Sequence, residues 1–326
     1  MSCEWDDKIF SVSDAGFEEL ALEIFRFQYQ QNTVYREYVQ ALKVKPQDVS
    51  SLNKIPFLPV SFFKTHEIKS GSFSPAEIFE SSATTGAVRS RHFVKDIELY
   101  KKSFMHPFSK NYGSIKDWSI IGLLPSYLER TTSSLVYMVN ELIALSGHQQ
   151  SGFYLDEFER LNKILTVLEV KKQKTLLIGV TFALLDFAEK FPAALPTTTI
   201  METGGMKGRR QEMTRAEVHS ILQTAFSKNE IHSEYGMTEL LSQAYSKGNG
   251  IFNCPPWMKI LVREEDDPFK ISTTGKGTLN IIDLANVYSC SFIATDDIGS
   301  IHFNGSFEVL GRIDGSDVRG CSLLTL

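Results

Sequence analysis

The chain has 326 residues, 42% of them hydrophobic, and a net charge of −5. That is the composition of a globular protein long enough for one large domain or two ordinary ones. No Lys/Arg-rich block stands out, which excludes an electrostatic grip on nucleic acid as the working expectation. No apolar run approaches the ~20 residues of a membrane-spanning helix. The opening "MSCEWDDKIF" is acidic and has no signal-peptide core. Four dispersed cysteines, Cys3, Cys254, Cys290 and Cys321, form no CxxC pair. Neither a zinc site nor a disulfide framework is indicated, and a reduced, cytoplasmic protein is the expectation.

In chain order, Phe17, Leu20, Ile24 and Phe27 recur at helical spacing after Ser13, which reads as an N-cap. The two prolines of "KIPFLPVSFFK" forbid a regular helix and favour an extended, buried connection. The stretch "SSATTGAVRSRHF" from Ser81 reads as a loop. Beyond it, "WSIIGLL", "TLLIGV" and "TTTIMETGG" read as strands. They alternate with the helical patterns "SSLVYMVNELIALSG", ending at Gly147, "LDEFERLNKILTVLEV", "FALLDFAEKF" and "TRAEVHSILQTAF", capped by Thr214. Such alternation predicts an α/β fold with a mostly parallel, helix-covered sheet. From about Trp257 short strands take over: "WMKILVRE", "GTLNIIDL", "SFIATD", "SIHFN" and "FEVLGRI". The expectation is one domain in three parts: a helical and extended region over 1–80, an α/β nucleotide-binding part over 81–250, and a β-rich part over 251–326.

The chemistry concentrates in a few fragments. Small residues at 81–87 let backbone N–H groups approach an anion, hydroxyls add donors, and Arg89 and Arg91 add charge. The GK[ST] ending of a Walker loop is absent, and a Ser/Thr-rich surface loop is the equally simple account. "SEYGMTE" (Ser233–Glu239) combines an aromatic ring, a glycine turn, a hydroxyl and a carboxylate where a strand should end, the place where α/β sheets bind ligands. "METGGMKG" ends another strand with paired glycines, and "ATDDIG" sets two carboxylates at a strand end, suited to ribose hydroxyls.

In this order the fragments, closed by "GRID", resemble the adenylate-forming superfamily of acyl-CoA synthetases and adenylation domains, from Ser81 to Gly320. "IPFLPVSFFK" and the terminal "GRIDGSDVRGCSL" are similar in turn to the acyl-protein synthetases of the LuxE type, which activate fatty acids for the reductase of bacterial bioluminescence. The superfamily normally continues past this hinge into a mobile domain with a catalytic lysine; acyl-protein synthetases lack it, and the same is expected here.

The resemblance implies ATP and Mg²⁺ as cofactors. Ser81, Ser82, Thr84, Thr85 and Gly86 would wrap the β- and γ-phosphates, with Arg89 or Arg91 as the basic residue beyond them. Gly204 and Gly205 would pack beside adenine, with Tyr235 as the other surface and Gly236 as the turn. Thr238 would bond the α-phosphate, Glu239 would hold the metal, Asp297 would bind ribose, and Arg312 would join the ribose or phosphate contacts. Ala83 and Asp296 stand where the superfamily has Gly. Cys321 would carry the acyl group, with Arg319 favouring its thiolate; on its own residues, without the resemblance, it reads as a small buried hydrophobe. Cys3, Cys254 and Cys290 read as structural. His92, His106, His148 and His232 form no ligand spacing and are assigned no catalytic role, although His232 adjoins "YGMTE" and so borders a conceivable acyl pocket with "LLPSYL" and "SSLVYM". The implied reaction turns a carboxylic, fatty-type acid into acyl-AMP and moves the acyl group to a cysteine thiol, with an acyl-reductase or other acceptor protein as partner. The alternatives are a ligase passing acyl-AMP to coenzyme A, a carrier protein or an amine, and a non-catalytic nucleotide-binding partner of a larger complex.

Overall fold

The computed structural model describes residues 5–82, 88–124, 132–155, 157–204, 213–264 and 267–313. They divide into two compact units, one of residues 1–105, 236–243 and 253–309, the other of residues 106–235, 244–252 and 310–326. The second unit holds the strand–helix alternation. Strands Gly152–Phe153, Ser119–Leu123, Thr175–Val180, Thr198–Thr203 and His232–Tyr235 lie side by side in that order and parallel. Ala244–Ser246 adds an antiparallel strand to His232–Tyr235. Every residue of Ser119–Leu123 and Thr175–Val180 is buried, which is why these segments read as unbroken apolar runs.

The expected helices occupy Ser134–Ser146, Phe158–Val170, Thr181–Lys190 and Arg215–Phe226. Gly147 ends the first at φ 62° in the left-handed region, and Thr214 with Glu217 forms a capping box on the last. Helix Ile97–Tyr112, which contributes to both units, escaped the periodicity reading; Pro107 sits inside it, and an internal proline reads as a stop.

The first unit carries the β-rich segment. Ile271–Ser272, Met258–Arg263, Gly275–Asp283 and Phe292–Ile301 form an antiparallel sheet in that spatial order. "SFIATD" and the start of "SIHFN", expected as two strands, are one, because the chain turns only after Ile301, where the His302 N–H bonds the Ser306 carbonyl at 2.8 Å. The proline-rich connection is extended as expected: Leu58–Pro59 pairs parallel with Ile293–Ala294. The first long helix begins at Phe17, with Gly16 at its N-cap. Ser13 is therefore not the cap; its Oγ accepts the Gly16 N–H at 3.2 Å and tightens the preceding turn. From this helix the buried Gln28 donates to the carbonyls of Asn286 (3.1 Å) and Val287 (2.9 Å) and accepts the Ser291 N–H at 3.0 Å. Asn32, just beyond the helix, donates to the Ser289 carbonyl at 3.0 Å. The N-terminal helix thus fixes the segment that supplies Asn286 to the site.

Candidate functional site

Within the first unit, Glu77–Glu80 and Arg91–Val94 form an antiparallel hairpin that presents the hydroxyl-rich stretch. Its neck is closed twice: the Ser81 N–H donates to the Ser90 carbonyl at 3.0 Å, and the Ser90 N–H donates to Ser81 Oγ at 2.9 Å. Ser81 is buried, so its hydroxyl serves the neck. Arg89 pairs with Glu80 at 3.3 Å, while the Arg91 guanidinium lies 5.4 Å from the centre of the Phe93 ring.

His92 stands on the inner strand of this hairpin, opposite Phe79 and edge-on to Phe63. Its Nδ1 lies 2.8 Å from the Thr238 carbonyl. Burial holds the imidazole below its ordinary range, against the opposing pull of that carbonyl and of Glu239, so the ring is neutral at pH 7. A carbonyl only accepts, which assigns the proton to Nδ1. Asn286 Nδ2 donates to the next carbonyl, that of Glu239, at 2.7 Å. Two residues on, Asp283 accepts the N–H groups of Leu241 and Ser242, both at 2.9 Å, and the Ser242 hydroxyl at 2.6 Å. The backbone around Thr238 and Glu239 is therefore gripped on both sides by buried side chains, and Glu239 itself is fully buried.

Asp297 lies in the interior of Phe292–Ile301, at variance with the strand-end position expected for "ATDDIG". The register explains its presentation. Thr278 faces Ile298 and Asn280 faces Ala294, so Thr295, Asp296 and Asp297 together oppose Leu279 in a bulge, a device that re-aims side chains. Thr295 Oγ1 donates to the Leu279 carbonyl at 2.8 Å and accepts the Asp297 N–H at 3.1 Å. Arg263 donates to the Thr295 carbonyl at 2.7 Å and to Asn280 Oδ1 at 2.6 Å. Asp297 is buried with Thr295, whereas Asp296 is half-buried and acts electrostatically on Arg263. Gly299 has a packing reason of its own, since a Cβ there would meet the Glu308 carbonyl at 2.4 Å.

In the second unit, Met201 pairs with His232 and Glu202 with Ser233, so the ends of these two strands bring Gly204 and Tyr235 into neighbouring positions. Gly204 has φ 70°, the left-handed region that a side chain resists. The buried Tyr235 ring meets Phe252 edge-on at 5.9 Å, and the Arg215 guanidinium lies 5.0 Å from the Phe252 ring. Arg215 Nε bonds Glu202 Oε1 at 3.1 Å, Thr181 donates to Glu202 Oε2 at 3.2 Å, and His219 lies 3.6 Å from Glu202. Burial would raise the Glu202 carboxyl, but the His219 and Arg215 contacts bring it down to about 2. Burial and the Glu202 charge push Glu234 up to about 7, against the opposing hydrogen bond from the Thr203 hydroxyl.

Of the expected site residues, Ser81, Ser82, Gly236, Thr238, Glu239 and Asp297 belong to the first unit, and Gly204, Tyr235 and Arg312 to the second. Thr84, Thr85, Gly86, Gly205 and Cys321 lie outside the described residues, as do Ala83, Arg319 and Cys3. Burial pushes the Cys290 thiol up to about 12 and the Cys254 thiol well above its ordinary value. His232 bonds the Tyr112 hydroxyl at 3.0 Å. Sequence reasoning missed His92, Asn286, Asp283 and Arg263, because their partners are backbone atoms distant in the chain. The one signal available was that a polar side chain standing in an apolar strand needs a partner.

The sequence profile of the family described as "Acyl-protein synthetase, LuxE" matches residues 9–119. No curated protein matches the chain in sequence. Among solved structures, 2-hydroxyisobutyryl-CoA ligase in complex with 2-HIB-AMP and CoA superposes with a TM-score of 0.68 at 11% identity, over 95% of this chain and 70% of the ligase. ATP-bound MatB from Rhodopseudomonas palustris gives 0.55 at 17% identity, over 72% of this chain and 47% of MatB. An ATP-bound RpMatB-BxBclM chimera gives 0.56 at 15% identity, over 74% and 49%. The chain thus spans about half the length of MatB and of the chimera. The fold is that of the adenylate-forming ligases, and residues 9–119 place the chain's sequence likeness with the LuxE acyl-protein synthetases.

Proposed function

We propose that this protein activates a carboxylic acid with MgATP and transfers the acyl group to a cysteine thiol. A carboxylate oxygen attacks the α-phosphorus of ATP, and acyl-AMP and pyrophosphate form. The thiolate of Cys321 then attacks the acyl carbonyl, AMP leaves, and a protein thioester remains; the thiol proton is lost to solvent. The carrying observation is the bond that ties the hydroxyl-rich hairpin, through His92, to the backbone carbonyl of Thr238, the residue before Glu239. The two fragments that the resemblance assigns to the phosphates and the metal are thereby one construction.

The donor set suits Mg²⁺. That ion keeps waters and takes one or two carboxylates plus phosphate oxygens, so Glu239 with the nucleotide's own oxygens fits its needs. Bound there, the metal would neutralise phosphate charge. The chain's own part is positioning: hydroxyls and backbone donors of 81–86 for the terminal phosphates, Thr238 for the α-phosphate, Asp297 and Arg312 for ribose, and Gly204 and Tyr235 as surfaces for adenine. A single adenylate-forming domain, a fatty acid as substrate and an acyl-reductase or acceptor protein as partner complete the proposal.

The test is labelling with a radioactive fatty acid and MgATP. Wild-type protein should acquire hydroxylamine-labile label. Cys321→Ser should lose it while retaining exchange of pyrophosphate into ATP. Acyl-CoA formation that survives intact in Cys321→Ser would assign a ligase in place of the acyl-protein synthetase.

A further inference from the structure

One group in the hairpin is out of keeping with its surroundings. His92 is a buried imidazole, 1% exposed, on a strand whose neighbours Phe93 and Val94 are apolar. A phenylalanine or leucine would fill such a place without the desolvation that holds this ring's basicity down. Its Nδ1–H donates from this hairpin strand to the Thr238 carbonyl at 2.8 Å.

The second grip makes the purpose specific. The Thr238 and Glu239 carbonyls are consecutive, and they are held by two different elements: His92 from the hairpin and Asn286 from the short helix Leu284–Asn286. Asn286 is itself fixed, since its Nδ2 also reaches the Cys290 carbonyl at 2.9 Å and its own carbonyl accepts from Gln28. With Asp283 taking Leu241 N–H and Ser242 N–H on the far side, the peptides before and after Glu239 are each held by a side-chain hydrogen bond. Asn286 and Asp283 tie this segment to the β-rich sheet, and His92 ties it to the hairpin. Remove His92 and the fold keeps its sheet anchors, but the hairpin and the Glu239 segment lose their common reference.

Resting on the nucleotide reading above, we infer that His92 is a positioning residue, which sets the hydroxyl-rich hairpin against Thr238 and Glu239 through an Nδ1–H bond to the Thr238 carbonyl. It touches neither nucleotide nor metal in this account. Its effect is pre-organisation: with the bond made, the base of the hairpin and the Glu239 segment already share one reference when MgATP arrives.

The test is equilibrium binding of radiolabelled ATP to the full chain across a Mg²⁺ titration, with thermal melting recorded alongside. His92→Leu should weaken MgATP binding about tenfold, the effect of losing one buried hydrogen bond. His92→Asn places an amide N–H where Nδ1–H stood and should restore binding to within about threefold. His92→Gln carries its amide one carbon further, to the Nε2 position, and should not restore it even when its melting equals that of His92→Asn. A purely structural histidine would give equal binding in the Asn and Gln variants, and that result overturns the inference, as does wild-type binding by His92→Leu. Should His92→Leu fail to fold, the Asn and Gln pair decides alone. Glu239→Gln separates the two readings. If it weakens binding while the His92 variants do not, only the inference falls; if wild-type protein binds no ATP, the nucleotide reading falls first and this one with it.

Discussion

The two units secure their glycine- and hydroxyl-bearing segments by different means. In the first, the neck of the hairpin is closed by uncharged groups, Ser81 against Ser90, and the strand is tied inward by a neutral imidazole. In the second, the chain on either side of segment 205–212 is joined by charge: Glu202 before it bonds Arg215 after it, with His219 close by. The same unit carries a second buried acid, Glu234, beside the first. Neutral hydrogen bonds contribute modestly and lose little when cut. A buried ion pair is costly to break because one removed partner leaves a desolvated charge. The Glu202–Arg215 junction is therefore more vulnerable to substitution than the hairpin neck.

Glu202→Ala is the largest break available. It should cost about 3–5 kcal/mol, the range for removing one partner of a buried pair, read as a fall in melting temperature. A cost below about 1 kcal/mol would erase the distinction between the units.

The pH dependence comes next. Folding holds Glu234 near pH 7 against an ordinary 4.5, so the native state favours the protonated form. The Glu234 contribution to stability, up to roughly 3 kcal/mol, should fall as pH rises from about 4.5 towards 7 and be lost above it. Glu234→Gln should flatten this limb in melting curves taken across that range. Two histidines act with the opposite sign over an overlapping range, so the Glu234 part is read as the difference between the wild-type and Glu234→Gln curves. His92 and His232 are both depressed by burial, so each contributes stability that is lost as pH drops below the ordinary histidine range near 6.5.

Ser81→Ala should cost about 1 kcal/mol, since one neutral bond at the hairpin neck is lost while the backbone bond to Ser90 stays. A loss comparable to that of Glu202→Ala would mean that the neck bears far more than its two bonds imply. Smallest is Arg89→Ala: its pair with Glu80 is 3.3 Å long and reaches solvent, so stability should move by less than about 1 kcal/mol. A larger effect on MgATP affinity than on melting would then assign Arg89 to the phosphates.

Much of the fold was legible because its signals are local. The apolar strands of the second unit, the Gly147 and Thr214 caps and the proline-rich connection each announce themselves within a few residues. The helix Ile97–Tyr112 was hidden by Pro107, and the two strands expected over 291–304 proved to be one. At the site, the order of the fragments carried the resemblance, but the supports did not show. The bulge at Thr295–Asp297 arises from a register shift against Gly275–Asp283, held by Arg263 from a third strand. The grip of His92 on Thr238 spans 146 residues of chain. A side chain bonded to a remote backbone carbonyl leaves no spacing pattern, since the backbone atom is the same whatever residue bears it.

In the proposed function, the hairpin and the Thr238–Glu239 segment form the activating half of an adenylating enzyme. The most direct measurement is exchange of labelled pyrophosphate into ATP by the full chain, with Mg²⁺ and a panel of fatty acids of graded length. Exchange should require both an acid and Mg²⁺, and Glu239→Gln should lower it about a hundredfold, the size of losing one charged group from a preorganised site. Failure of the wild-type protein to bind ATP at millimolar concentration, or full exchange by Glu239→Gln, would contradict that function.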